Sequence, residues 1–115
     1  MSTPPSSPDR NRRATPRKAL RLDATVVYGD VSRAVQTWDL GRDGLCLLSS
    51  RPIAPGTRCK VSFELPVGAE RVGITAAAKV VYSSYSAAGE FKIGAVFTDL
   101  GDDIALVLAR FASGS

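Results

Sequence analysis

Apolar and polar residues alternate with a period of two along most of the chain, which is typical of β-strands with one buried face. One run, residues 58–65, places four apolar side chains on a single face: Cys59, Val61, Phe63 and Leu65. Turn signals containing glycine or proline separate such runs. Together they predict about six strands, over residues 20–26, 32–38, 45–48, 58–65, 70–82 and 91–98. We expect a bulge near Gly73 and a hairpin loop over residues 83–90.

The pattern becomes helical after Gly101. Apolar residues then recur at i, i+3, i+4 and i+7, on one helix face formed by Ile104, Val107, Leu108 and Phe111. Asp102 is the predicted N-cap, and Gly114 can end the helix. The sequence therefore predicts a mainly β fold: a small six-stranded antiparallel β-barrel with a C-terminal α-helix that covers an open end.

The N-terminal residues differ from the rest in composition and charge. Residues 1–9 are rich in Ser and Pro and predict a disordered tail. Residues 10–19 form an arginine-rich arm, which we expect to be flexible and to bind a ligand, and the barrel domain follows over residues 20–112. Residues 1–21 carry six basic side chains and one acidic, whereas the remainder carries nine basic and ten acidic. A cationic arm on a nearly neutral body is typical of a protein that binds an anion: nucleotide, nucleic acid or acidic lipid.

The residue types present limit the chemistry. The chain has no histidine, which excludes Ser-His and Cys-His nucleophilic systems, and no spacing marks a catalytic pair of acidic residues. We therefore predict a binding protein, not an enzyme, without a cofactor. Cys46 and Cys59 are expected to be buried and reduced, because no export signal implies an oxidising compartment. Two cysteines without histidine also leave a zinc site short of ligands. With no apolar run of about 18 residues and no signal-peptide pattern, we expect a cytoplasmic protein with no membrane span.

Two short motifs resemble those of the PilZ domain family. That family has an RxxxR motif in an N-terminal arm, and Arg13 and Arg17 fit it, with Arg12 directly before them. It also has a (D/N)xSxxG motif at a strand turn, which is matched here by Asp39 and Gly44. Either motif alone is weak, but both occur in the family's order and on a matching strand pattern. The chain is therefore identified by resemblance as a PilZ-like domain.

The resemblance covers roughly residues 10–112, because residues 93–97 are also similar to the Gly-x-x-Phe of the family's late strand. It implies that the chain binds the bacterial second messenger cyclic di-GMP and relays the signal to an unidentified protein partner when the arm closes. The ligand's two phosphates and two guanines suit arginine, whose planar fork matches phosphate oxygens and guanine O6 and N7. Asp39 can accept hydrogen bonds from guanine N1–H and N2–H₂. Tyr82, at a strand end, can stack on a guanine.

The second motif departs from the family at one position. Gly41 stands where the family has a serine, so the hydroxyl that family members use to hydrogen-bond the ligand is absent. One lost hydrogen bond weakens binding by about 1 kcal/mol. Gly44 would permit a positive φ or a close backbone approach. Trp38 directly precedes Asp39, so we expect it to point to the opposite face, into the core. The predicted ligand-binding residues are Arg12, Arg13, Arg17, Asp39, Gly41, Gly44 and Tyr82.

Two other functions remain open. A basic arm on a small barrel also occurs in single-stranded nucleic-acid-binding modules, which display aromatic side chains along one sheet face. Here the aromatic residues fall mostly on the apolar face and the barrel body is slightly negative, which disfavours nucleic acid as a partner. A PilZ-like adaptor that contacts only proteins is the other alternative, although members of that branch lack the arginine motif that this chain has.

Overall fold

The computed structural model describes residues 17–114, with side chains as far as Phe111. Seven strands precede one helix. Their bounds are β1 Arg17–Ala19, β2 Asp23–Tyr28, β3 Val31–Gly41, β4 Gly44–Ser49, β5 Arg58–Val67, β6 Glu70–Ala87, β7 Glu90–Asp99 and α1 Asp102–Gly114.

Six of the strands form a closed antiparallel ring. Their order is β3-β2-β5-β6-β7-β4, and the ring closes because β4 pairs with β3. The long strand β3 makes this possible, since its first half pairs with β2 and its second half with β4. The six-stranded, mainly β architecture with a C-terminal helix confirms the predicted fold class. The seventh strand, β1, adds to the second half of β3 and was not predicted as a strand.

The ring encloses one hydrophobic core. The four apolar residues of the β5 alternation are all buried, as predicted. Strand β4, which lies between β3 and β7, is buried along its whole length. Helix α1 adds the fully buried Leu108 to the core and packs against β1 and β3. Cys46 and Cys59 are both buried free thiols, again as predicted.

Two details of β6 differ from the sequence prediction. No bulge occurs near Gly73, which pairs in regular register with Glu64 of β5. The bulges of β6 instead face β7, and one of them lies between Val80 and Tyr82. The predicted loop over residues 83–90 is also wrong, because β6 continues to Ala87 and only Ala88 and Gly89 form the turn. Backbone pairing with β7 stabilises this part of β6 despite the low strand propensity of its small residues.

The N-cap of the helix lies one residue earlier than predicted. The Gly101 carbonyl accepts the first helical hydrogen bond from the Ala105 amide at 2.9 Å, so Gly101 holds the N-cap position. Asp102 and Asp103 occupy the first turn, where negative charge is favourable. Within residues 17–114 no helix is long and apolar enough to span a membrane, and no group of three Cys, Asp or Glu side chains could hold a metal ion.

The predicted tail and most of the predicted arm lie outside the described residues. This applies to residues 1–16, and so to Arg12 and Arg13. The end of the arm is described, and there residues 17–19 are strand β1. The second arginine of the RxxxR motif, Arg17, is therefore placed by a backbone ladder with β3.

Candidate functional site

A single cross-strand register brings the predicted site together on the outer face of the ring. Asp39 of β3 pairs with Cys46 of β4, Cys46 pairs with Gly94 of β7, and Gly94 pairs with Tyr82 of β6. We call these four residues the site row. Because Leu45 and Leu47 belong to the core, Cys46 between them lies on the outer face. Residues far apart in sequence thus share one surface.

A bulge in β3 sets the orientation of Asp39. The β3–β4 register shifts between Thr37 and Asp39, so Trp38 is the extra residue. Buried Thr37 stabilises the bulge: its hydroxyl accepts from the Leu22 amide at 2.8 Å and donates to the Leu20 carbonyl. These bonds satisfy the backbone where the chain passes from β1 to β2.

The bulge also explains why the prediction for Trp38 was wrong. Trp38 is only half-buried and does not belong to the core cluster. The extra residue interrupts the period-two alternation, so the fully buried positions are Thr37 and Leu40, with Trp38 and Asp39 outside the core between them. Two cations lie over the indole ring instead: Arg21 Cζ is 4.3 Å and Lys92 Nζ 4.4 Å from its centroid.

Arg17 and Asp39, one from each motif, form an ion pair. Arg17 Nη1 donates to Asp39 Oδ1 at 3.3 Å. The side chains are 23% and 16% exposed, so both are largely desolvated yet reachable from solvent. The pair is positioned by strand register, since Arg17 faces Gly41 and Ala19 faces Asp39 across β1 and β3. A planar donor fork and a carboxylate acceptor therefore stand side by side.

Tyr82 lies across the site row. A bulge at Val81 turns the Tyr82 side chain outward, where the residue is 46% exposed. Its ring covers Gly94 so closely that a Cβ added there would overlap the ring atoms. The hydroxyl donates to Cys46 Sγ at 3.6 Å. Glycine at position 94 thus allows an aromatic face to lie flat beside the Arg17–Asp39 pair.

Cys46 and Tyr82, two neighbouring residues of the site row, stay protonated at neutral pH. Burial, together with the contact to Cys46, raises the pKa of Tyr82 to about 12. Burial also raises the pKa of the Cys46 thiol, which the Tyr82 hydrogen bond only partly opposes. A thiol with a raised pKa is a poor nucleophile, because the thiolate is the reactive form. The arrangement therefore suits binding by hydrogen bonds and stacking better than covalent chemistry.

The two motif glycines have different structural roles. Gly41 ends β3 in extended strand conformation opposite Arg17, which places it at the site. Gly44 begins β4, where a Cβ would overlap the Ala95 carbonyl oxygen and lie 3.0 Å from Val96 Cα. Of the two roles predicted for Gly44, the structure shows the close backbone approach. The neighbouring Asp43 carbonyl accepts from the Phe97 amide at 2.8 Å and fixes the same contact.

The described part of the predicted set thus gathers at one place. Arg17 and Asp39 both act electrostatically on Tyr82 and on Cys46. Arg21 and Lys92, the two cations over the Trp38 ring, were not among the predicted site residues. A signal was present for both: Arg21 follows Arg17 at the same four-residue interval as in the RxxxR motif, and Lys92 precedes Gly94 by two, on the same strand face.

A wide groove of about 1020 Å³ lies elsewhere, against β2, β5 and β6. Its outer residues include the hydrogen-bonded pair Ser62 and Thr75 and the exposed ion pair Glu64–Arg71. The groove carries mixed charge, and Arg21 is among its lining residues, but neither Arg17 nor any residue of the site row lines it. The Arg17–Asp39 pair is therefore outside this groove.

The fold and the site define a class of protein: a small antiparallel strand ring in which the end of an arginine-rich arm pairs with a carboxylate on the outer face. The PilZ domain family matches residues 11–114. The chain therefore belongs to the PilZ domain family, as its two motifs predicted.

Solved structures share this fold at low sequence identity. The inhibitor of motility MotI/DgrA of Bacillus subtilis superposes with a TM-score of 0.78 at 13% identity, over 88% of this chain and 49% of that one. PlzA of Borreliella burgdorferi, solved in complex with c-di-GMP, gives 0.60 at 14% identity, over 94% and 44%. The PilZ domain of CeSA from a cellulose synthesizing bacterium gives 0.55 at 16% identity, over 85% and 95%.

The chain spans about half the length of the first two of these proteins. Identities of this size show a shared fold and nothing finer. No curated protein sequence matches the chain.

Proposed function

We propose that the protein is a receptor for cyclic di-GMP and binds it on the outer face of the ring. The observation that carries the proposal is the Arg17–Asp39 ion pair, which joins the two PilZ motifs in one site. Membership of the PilZ family over residues 11–114 supports it, as does the likeness of the fold to PlzA, which was solved with c-di-GMP.

Each residue of the site has a role that follows from its chemistry. Arg17 offers its fork to a phosphate or to guanine O6 and N7, and Arg12 and Arg13 add to it from the arm. Asp39 accepts from guanine N1–H and N2–H₂, while the exposed Tyr82 ring provides a surface for stacking. Gly41 lets the backbone approach the ligand, whereas Gly44 lets β4 pack closely against β7 beside the site. Closure of the arm then changes the surface that a downstream protein partner recognises.

We expect binding without catalysis and without a cofactor. The candidate nucleophile Cys46 carries a raised pKa, and its partner Tyr82 is protonated at neutral pH. The protein therefore has the properties of a receptor that reports ligand concentration, and we expect it to act in the cytoplasm.

Selectivity among nucleotides tests the proposal. Isothermal titration calorimetry should show tighter binding of cyclic di-GMP than of cyclic di-AMP or GTP, because the adenine edge offers Asp39 no N1–H donor. Equal affinity for both cyclic dinucleotides would remove the proposed role of Asp39. Absence of binding to any of the three would favour the adaptor function. Steeply salt-dependent binding of single-stranded RNA or DNA would favour the nucleic-acid module.

Gly41→Ser is expected to tighten cyclic di-GMP binding by about 0.5–1.5 kcal/mol, since it restores the hydroxyl that the family's motif contains. Gly41 is in extended strand conformation opposite Arg17, so serine should be accommodated without backbone strain. Calorimetric affinity and the ligand-free Tm should be measured together. Lower Tm with weaker binding would show that the site requires glycine, and no change in either would place position 41 away from the ligand.

A further inference from the structure

A cluster of Arg21, Trp38 and Lys92 lies beside the Arg17–Asp39 pair and has no part in the two PilZ motifs. The three residues come from three segments: the stretch between β1 and β2, the β3 bulge, and β7. Both cationic groups lie within 4.5 Å of the Trp38 ring centroid, the range in which an aromatic face attracts a cation. We call it the Trp38 cluster.

The cations of the Trp38 cluster are not neutralised by the described chain. Within residues 17–114, neither Arg21 nor Lys92 forms an ion pair with a carboxylate. Arg17, in contrast, has its charge balanced by Asp39. Two like charges held at one ring repel each other, so the cluster gains stability from an anion placed between or above them.

The cluster is next to the site row. Trp38 directly precedes Asp39, and Lys92 is two residues from Gly94 on the outer face of β7. Lys92 and Arg17 both lie close enough to Cys46 for their charges to act on the pKa of its thiol, in the lowering direction. A ligand whose guanine meets Asp39 must put its phosphates away from that carboxylate, and the Trp38 cluster offers two cations that no described carboxylate neutralises.

We infer that Arg21 and Lys92 bind a phosphate of the cyclic dinucleotide, with Trp38 as the positioning residue that holds both cations toward the ligand. The inference rests on the proposed function and extends the site beyond the family's motifs. In this arrangement the motif residues Arg17 and Asp39 contact the guanine edge, and the Trp38 cluster binds the negatively charged phosphate.

The test compares Lys92→Met and Arg21→Met with Lys60→Met, an exposed lysine of β5 that removes the same charge away from the site. Calorimetry with cyclic di-GMP should show each of the first two weakening binding about tenfold or more, as for one lost hydrogen bond to a charged group. Lys60→Met should stay within about twofold of the parent, the usual size of a surface-charge effect. Lys92→Arg should retain most of the affinity, and the differences should shrink in about 1 M salt, where screening is strong.

Trp38 is the only tryptophan of the sequence, so its fluorescence reports on this cluster, and a titration of the parent protein needs no variant to fold. Saturation of the parent protein with cyclic di-GMP should change the emission. Parent binding with unchanged emission, or with Lys92→Met and Arg21→Met equal to Lys60→Met, would overturn the inference and leave the proposed function intact. Failure of the parent to bind would overturn both.

Discussion

Replacing Gly44 with alanine should lower the free energy of unfolding by about 3 kcal/mol, the upper part of the range for overpacked cores. The added Cβ would overlap the Ala95 carbonyl oxygen, and this is backbone that cannot rotate away. The strands that would have to separate are β4 and β7, whose ladder runs along the entire length of β4. Denaturation by guanidinium chloride, followed by circular dichroism, measures the change.

Gly73→Ala is the matched control for this prediction. Gly73 also lies within a strand, but a Cβ there meets nothing within 4 Å. We expect a change of about 1 kcal/mol or less, and in the stabilising direction, since alanine is the better strand residue where space allows. Equal stability of Gly44→Ala and Gly73→Ala would contradict the close approach of β4 to β7 and weaken the structural reason for the motif's last glycine.

Arg17→Ala should reduce affinity for cyclic di-GMP at least about 100-fold, or about 2.7 kcal/mol. The substitution removes the fork that meets the ligand and leaves the partly buried Asp39 carboxylate unpaired and repelling the dianion. Arg17→Lys keeps the charge but not the planar geometry, and a loss of about tenfold is expected. Isothermal titration calorimetry on both variants measures these two losses of affinity.

Arg58→Ala serves as the control for Arg17→Ala, because it removes an exposed arginine at the start of β5, outside the site. Its affinity should match that of the parent. Both variants should keep the parent Tm to within a few degrees, since neither side chain belongs to the core. If Arg17→Lys binds as tightly as the parent, Arg17 acts as a point charge and the proposed fork geometry is wrong.

The regular strands and the helix could be predicted from the sequence because local periodicity determines them. The alternation in β5 and the helical spacing in α1 both indicate which face is buried. Leu65 and Leu108, on the predicted buried faces, are fully buried in the structure. The prediction failed where pairing between distant strands decided the outcome. Nothing local to Trp38 marks a bulge, because the bulge depends on Thr37 bonding the backbone between β1 and β2.

The site was predictable to the extent that it lies in short motifs. Arg17 and Asp39 were found by motif spacing, and the structure brings them into contact across 22 positions of sequence. The neighbours that complete the surface could not be found in this way. Lys92 reaches Trp38 only because β7 and β3 flank β4, and Gly94 matters only because Tyr82 crosses the strand above it.

The most direct test of where the protein binds its ligand is an NMR titration of the ¹⁵N-labelled protein with cyclic di-GMP. We expect saturable shifts in the amide signals of the outer-face site, at Arg17, Asp39, Cys46 and Gly94, and little change at Ser62, in the groove against β2, β5 and β6. Shifts concentrated in that groove, or none at saturating ligand, would show that the Arg17–Asp39 pair and the site row do not form a cyclic di-GMP receptor site.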